Sequence, residues 1–131
     1  MGEALERRVR PLAESVGSKF ILPCDVRHDD QIDGVFQQLE KGWGALDYLV
    51  HSVAFAERED LEGSFVNTSR RGFVTALEIS TYSLVALCKR AAPLMTKAGE
   101  GSVITLTYYG SEKVVPNYNV MGVAKAALEC S

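Results

Sequence analysis

The sequence predicts an α/β protein built as a Rossmann-like, doubly wound parallel sheet. Three observations carry that prediction. Short apolar runs alternate with longer amphipathic segments along the whole chain. The runs at 20–24, 45–50 and 102–107 are mostly apolar, as strands of a parallel sheet covered on both faces should be. No internal repeat, low-complexity stretch or linker divides the chain, so residues 1–131 read as one domain.

Glu3 to Val16 reads as a helix closed by Gly17, with Pro11 as a kink or a first-turn residue. Phe20 to Cys24 is the first expected strand, with Pro23 near its end. Asp29 or Asp30 then caps a helix over Ile32, Val35, Phe36 and Leu39 that ends near Gly42. Ala45 to Val50 is the second strand, and 56–70 a polar loop. Arg71 to Met95 is a long helix, apolar on more than one face. Such a helix must be covered twice, once by the sheet and once by a partner subunit or, alternatively, by a merely crowded core. Ser102 to Thr107 is the third strand. A loop through Pro116 leads to a last helix, Asn119 to Ser131.

Composition excludes several function classes. The chain has 131 residues, enough for one real core, and is 47% hydrophobic and 24% charged. A net charge of −3 gives no reason to expect nucleic acid. No apolar run reaches the ~18 residues of a membrane helix, and no signal-peptide pattern opens the chain. Cys24, Cys88 and Cys130 lack zinc spacing and read as free thiols of a reducing cytoplasm. His28 and His51 have no ligand spacing, so no metal is expected. His51 reads as a hydrogen-bonded structural histidine, and Arg7, Arg8 and Arg10 as a solvated helix face.

Ligands of parallel α/β sheets bind beyond the carboxyl ends of the strands. Those ends carry Cys24-Asp25-Val26, His51-Ser52-Val53-Ala54-Phe55-Ala56 and Thr107-Tyr108-Tyr109-Gly110. Tyr118 and Lys125 follow, seven apart, which on a helix is two turns and within ~20° of one face. A nearby ammonium favours phenolate and sharpens the hydroxyl as a donor. Spacing alone does not separate such a pair from a core tyrosine and a surface lysine.

The string Tyr118-Asn-Val-Met-Gly-Val-Ala-Lys125, with Tyr108 ten residues before it, resembles the active-site signature of enoyl-[acyl-carrier-protein] reductases. These are a divergent branch of the short-chain dehydrogenase/reductase superfamily. The resemblance runs through Cys24-Asp25-Val26, His51 to Ala56, Ser80-Thr81-Tyr82-Ser83 and Leu106 to Leu128. It implies NADH-dependent reduction of a trans-2-enoyl thioester carried on acyl carrier protein, by a homotetramer when complete. It implies that Tyr118 bonds the thioester carbonyl and stabilises the enolate. Lys125 would bind the nicotinamide ribose, and Tyr108 would line the substrate pocket. Asp25 and Val26 would contact the adenine, Ser52, Val53 and Ala54 would run beside the cofactor, and Ala56 would touch the acyl group. Ala54 departs from the family's commoner Gly, and its methyl should crowd anything stacked on the nicotinamide, inhibitors included.

The resemblance also implies that residues 1–131 are a partial dinucleotide-binding, Rossmann-like catalytic domain, a central piece holding strands 3, 4 and 5. A Gly-rich phosphate turn is absent, because Gly42-Trp-Gly44 precedes a strand instead of following one. The segment that separates NADH from NADPH would lie upstream, so NADPH stays open. The last helix stops without a Gly signal, and these residues alone are expected to be neither stable nor active. One rival is a carbonyl-reducing short-chain dehydrogenase, but four residues after Tyr118 stands Gly122 where that chemistry needs Lys. The other is a non-catalytic subunit of the same fold.

Overall fold

The computed structural model describes Glu3 and residues 5–131. Two parallel strands, β1 (Tyr48–His51) and β2 (Ser102–Thr105), pair in register, with Tyr48 opposite Ser102 and His51 opposite Thr105. Both strands therefore end at one edge. Between them run α3 (Arg70–Leu77), a π-helical segment (Glu78–Tyr82) and α4 (Ser83–Ala98). Before β1 come α1 (Arg10–Ser15) and α2 (Asp29–Trp43); after β2 comes α5 (Asn119–Glu129).

Two small cores hold these elements. Ile32 and Phe36 of α2 meet Ala86, Ala91 and Leu94 of α4, with Leu46 entering from the start of the β1 segment. The Leu46 N–H bonds the Leu94 carbonyl at 3.1 Å, which fixes where α4 lies relative to the strand. Arg90 of α4 reaches Asp33 at 2.7 Å and Asp29 at 3.1 Å on α2, so the same helix pair is tied at its rim. The second core joins α3 to α5 through Ala76, Val120, Met121 and Ala124. Alanine on both facing sides lets those two helices approach closely.

Several expected elements differ. Residues 20–24 are not a strand. A strand exists through ladder hydrogen bonds to a neighbour. This segment makes none among the described residues, and Pro23 has no N–H to offer. The sheet is thus two-stranded here, not three-stranded. Neither Asp29 nor Asp30 caps α2: the N-cap is His28, without a side-chain bond, and both aspartates lie in the first turn. There their charge still favours the positive helix end. That helix passes Gly42 and stops at Trp43, because Gly44 takes the left-handed conformation (φ 79°). The first helix opens as a π turn, Leu5–Val9, before α1, where Pro11 occupies a first-turn position. Of its expected span, Ala4 lies outside the described residues. The long helix starts at Arg70 and ends at Ala98, three residues later than the pattern gave, and it is broken by the π segment.

Candidate functional site

The parallel pairing brings the segments after His51 and Thr105 to one edge, and the π segment lies against them. Its side chains, with that of Ser83 at the start of α4, hold that edge together. The buried Ser80 hydroxyl accepts from the Phe55 N–H (3.0 Å) and donates to the Phe55 carbonyl (3.1 Å), locking the turn after Ser52-Val53-Ala54. Thr81 donates to the Ala124 carbonyl of α5 at 2.8 Å. Ser83 meets His51 Nε2 at 2.8 Å. A π bulge offsets consecutive side chains from α-helical spacing, which is how three near-neighbours reach three different elements. The sequence contains Ser80-Thr81-Tyr82-Ser83 as part of the resemblance, but nothing in its spacing announces a π segment.

Tyr118 stands at the N-cap of α5, one residue before the helix proper. Its flanking residues have positive φ, Asn117 at 59° and Asn119 at 25°. Asparagine tolerates that region better than most residues. The Asn119 amide donates to the carbonyls of Glu62 (3.3 Å) and Gly63 (3.2 Å), so a side-chain clamp to a distant turn accompanies the strained backbone. Sequence reading missed Asn119. The only signal available was an Asn on each side of the tyrosine.

The Tyr118 ring packs edge-on to Tyr108, with centroids 4.9 Å apart and planes at 67°. It also lies over Gly110, where an added Cβ would meet the ring at 2.4 Å. A Cβ on Gly122 would sit 2.7 Å from the Gly110 carbonyl. That close approach explains why no lysine can occupy the position four residues after Tyr118 without displacing backbone. Burial, and then Tyr108, push the Tyr118 pKa above its ordinary value. The direction is opposite to the expected acidification by Lys125. At neutral pH the phenol keeps its proton and is a hydrogen-bond donor.

Lys125 is not a surface lysine: it is 6% exposed. Its Nζ donates to the Leu106 carbonyl at 2.7 Å, just beyond the end of β2. That is its one hydrogen bond among the described residues, so two of the three ammonium N–H groups remain for a ligand. Burial pulls its pKa below the usual lysine value.

Asp25 precedes the turn that leads into α2. Arg27 folds back onto Asp25, with Nη2 2.6 Å from Oδ2, and the Asp25 pKa falls to about 2, chiefly through that side-chain bond. Ser52 and Ala54 are exposed, and Val26 and Val53 half-buried. Ala56 instead packs on the α3–α5 core with Tyr118. Thus the structure packs Tyr108 against Tyr118 and sets Lys125 on the helix that Tyr118 opens, its ammonium held at Leu106 just beyond β2, while the 52–54 segment follows β1 at the same edge. A cavity of ≈ 430 Å³, lined in part by Phe65, Val115, Tyr118 and Val123, opens beside the tyrosine.

Comparison with known proteins gives a consistent result. A family model described as enoyl-(acyl carrier protein) reductase matches residues 1–131. The chain is 54% identical over 126 residues to the enoyl-[acyl-carrier-protein] reductase [NADH] FabI of Nostoc sp., covering 96% of this chain and 48% of that protein. The solved enoyl-(acyl-carrier-protein) reductase of Anaplasma phagocytophilum in complex with NAD superposes with a TM-score of 0.91 at 51% identity, over 95% of this chain and 47% of that one. The Bacillus cereus enoyl-acyl carrier protein reductase, solved with NADP+ and indole naphthyridinone, gives 0.92 at 47% identity, over 98% and 50%. The chain spans about half the length of the curated relatives it matches.

Proposed function

The chain belongs to the enoyl-(acyl carrier protein) reductase family, and from that premise we propose that the protein reduces the double bond of trans-2-enoyl thioesters carried on acyl carrier protein, with NADH as reductant. In this reading residues 1–131 supply the central part of its dinucleotide-binding domain. The observation that carries it is a phenol packed against Tyr108 with, on the helix it opens, a buried lysine bound to the carbonyl just beyond β2.

When bound, the nicotinamide supplies the hydride that adds to the β-carbon. Tyr118 donates its hydroxyl proton in a hydrogen bond to the thioester carbonyl and stabilises the enolate oxygen as charge develops there. Tyr108 backs the Tyr118 ring and lines the acyl site. Lys125 offers its two unused N–H groups to the ribose diol and adds positive charge near the developing oxyanion. Ser52, Val53 and Ala54 run along the cofactor, Asp25 and Val26 receive the adenine, and Ala56 borders the acyl chain. The buried Ser80 keeps the 52–56 turn from collapsing into that space.

The test is NADH oxidation by the full-length protein carrying this segment, with enoyl and 3-oxoacyl thioesters offered in parallel. Enoyl-dependent turnover is expected; turnover of 3-oxoacyl thioesters alone would overturn the reading. NADPH is run beside NADH, because relatives solved with NAD and with NADP+ are both similar to this chain.

The complete protein is proposed to be a homotetramer in the cytoplasm. Along the α3–α4 rod Val74, Tyr82 and Val85 are themselves 57%, 56% and 49% exposed, an apolar face suited to a partner subunit. Sedimentation should give a tetramer at micromolar concentration. No described helix is long and apolar enough to cross a membrane, and the three cysteines are unpaired among the described residues, as in a reducing compartment.

A further inference from the structure

His51 is 1% exposed and lies at the last position of β1. Its ring bridges two elements: Nε2 is 2.8 Å from Ser83 Oγ, and Nδ1 is 2.8 Å from Thr105 Oγ1. The tautomer follows from the serine. Ser83 already donates its one proton to the Ile79 carbonyl at 2.6 Å. Its oxygen can then only accept, so Nε2 carries the imidazole proton. Burial, and then the charge of Lys125, lower the His51 pKa, so the ring is neutral and Nδ1 is an acceptor. Thr105 Oγ1 therefore donates to Nδ1 at 2.8 Å in preference to the His51 carbonyl, which lies 3.5 Å away.

The backbone of His51 continues the chain of contacts. Its carbonyl accepts from the Leu106 N–H at 3.1 Å. The Leu106 carbonyl, on the other side of the same residue, accepts from Lys125 Nζ at 2.7 Å. Leu106 is thus gripped by His51 on one side and by Lys125 on the other. Its side chain is 51% exposed, so packing alone does not hold it.

We propose that His51 is a positioning residue for Lys125: its Nε2–H imidazole pins the ends of β1 and β2 to the start of α4 and so fixes the Leu106 carbonyl that aims the lysine ammonium. This inference rests on the reading above that Lys125 binds the cofactor ribose. A histidine serves here because a neutral imidazole donates on one edge and accepts on the other. Leucine offers neither, and glutamine can offer both.

Two measurements on the full-length protein test it. Nitrogen-15 spectra of the wild-type imidazole should show His51 neutral with the proton on Nε2; a proton on Nδ1, or on both nitrogens at neutral pH, would overturn the proposal. A double-mutant cycle then reads coupling. His51→Leu should weaken NADH binding by about 10-fold in the wild type and by less than about 2-fold in Lys125→Met, with His51→Gln retaining most of the affinity. Equal effects in both backgrounds would mean that His51 acts only on general stability, and would refute positioning. If Lys125→Met alone leaves NADH affinity unchanged, the ribose assignment fails instead. The positioning claim is then read from the Lys125 Nζ chemical shift, which should move in His51→Leu and stay near the wild-type value in His51→Gln; a shift that stands still in His51→Leu would sink the claim. Should His51→Leu fail to fold, His51→Gln and the wild-type spectrum still decide.

Discussion

Replacing Lys125 by methionine separates the two roles at the site. The lysine stem is buried, so alanine would leave a cavity, whereas methionine keeps most of the volume. On the stability side, Lys125→Met loses a charged hydrogen bond to the Leu106 carbonyl, worth about 1.5–3 kcal/mol. It also removes a buried charge whose desolvation opposes folding. The two effects largely cancel, and the net change should stay within about 1.5 kcal/mol. Cofactor binding has no such compensation. Two N–H groups remain beyond the bond to Leu106. At the lower bound for charged hydrogen bonds, losing both costs about 3 kcal/mol, roughly 100-fold in Kd. Tyr118→Phe should do the reverse. It removes a donor used most strongly in the transition state, so kcat should fall about 100-fold or more while NADH affinity stays within about 2-fold. The assay is fluorescence titration with NADH alongside steady-state kinetics on the full-length protein. If Lys125→Met kept NADH affinity within about 3-fold while kcat collapsed, the assignment of roles would be wrong.

Three further outcomes are expected. Gly72→Ala would drive a Cβ to 1.6 Å from Asp60 Oδ2 and break the buried bonds that Asp60 accepts from the N–H (2.7 Å) and hydroxyl (3.1 Å) of Ser69, the N-cap of α3. Against about 1 kcal/mol of better helix propensity, we expect a net loss of roughly 2–4 kcal/mol in chemical denaturation; a neutral result would mean that Asp60 can swing away freely. Asn119→Ala should destabilise by about 1 kcal/mol more than Asn119→Gly, since only glycine relaxes at φ 25°; equal losses would show that the backbone there is unstrained. Asp25 titrates at about 2 when folded, below its ordinary 3.8, so the stability it lends is full above that ordinary value and fades as pH falls toward about 2. Arg27→Ala should raise the Asp25 midpoint by carbon-13 NMR, and an unmoved midpoint would show that Arg27 does not set it.

Much of the fold was legible because burial leaves a periodic trace. The α2 stripe of Ile32, Phe36 and Leu39 and the apolar runs around β1 and β2 are local patterns that identify their own elements. Residues 20–24 carry the same kind of pattern, yet form no strand among the described residues, since pattern names a candidate and pairing makes the strand. The helix ends misread for a similar reason. Gly42 and Gly44 are equally plausible stops in the sequence, and only the backbone shows which takes positive φ.

For the site, the sequence by itself determined the residue types: a tyrosine and a lysine seven apart, a second tyrosine ten before, and small residues after a strand. These are chemical identities in fixed order, and a family signature is written in just such terms. Tertiary structure alone decided their states. Whether Lys125 is a surface charge or a buried donor depends on Leu106, nineteen positions away. Whether Tyr118 is acidified or kept protonated depends on burial and on the ring of Tyr108. The tautomer of His51 depends on a serine thirty-two residues on, whose own proton is taken by the helix. Solvation and hydrogen-bond partnership are properties of neighbours in space, and in a parallel α/β fold the neighbours at a strand end come from crossovers dozens of residues long.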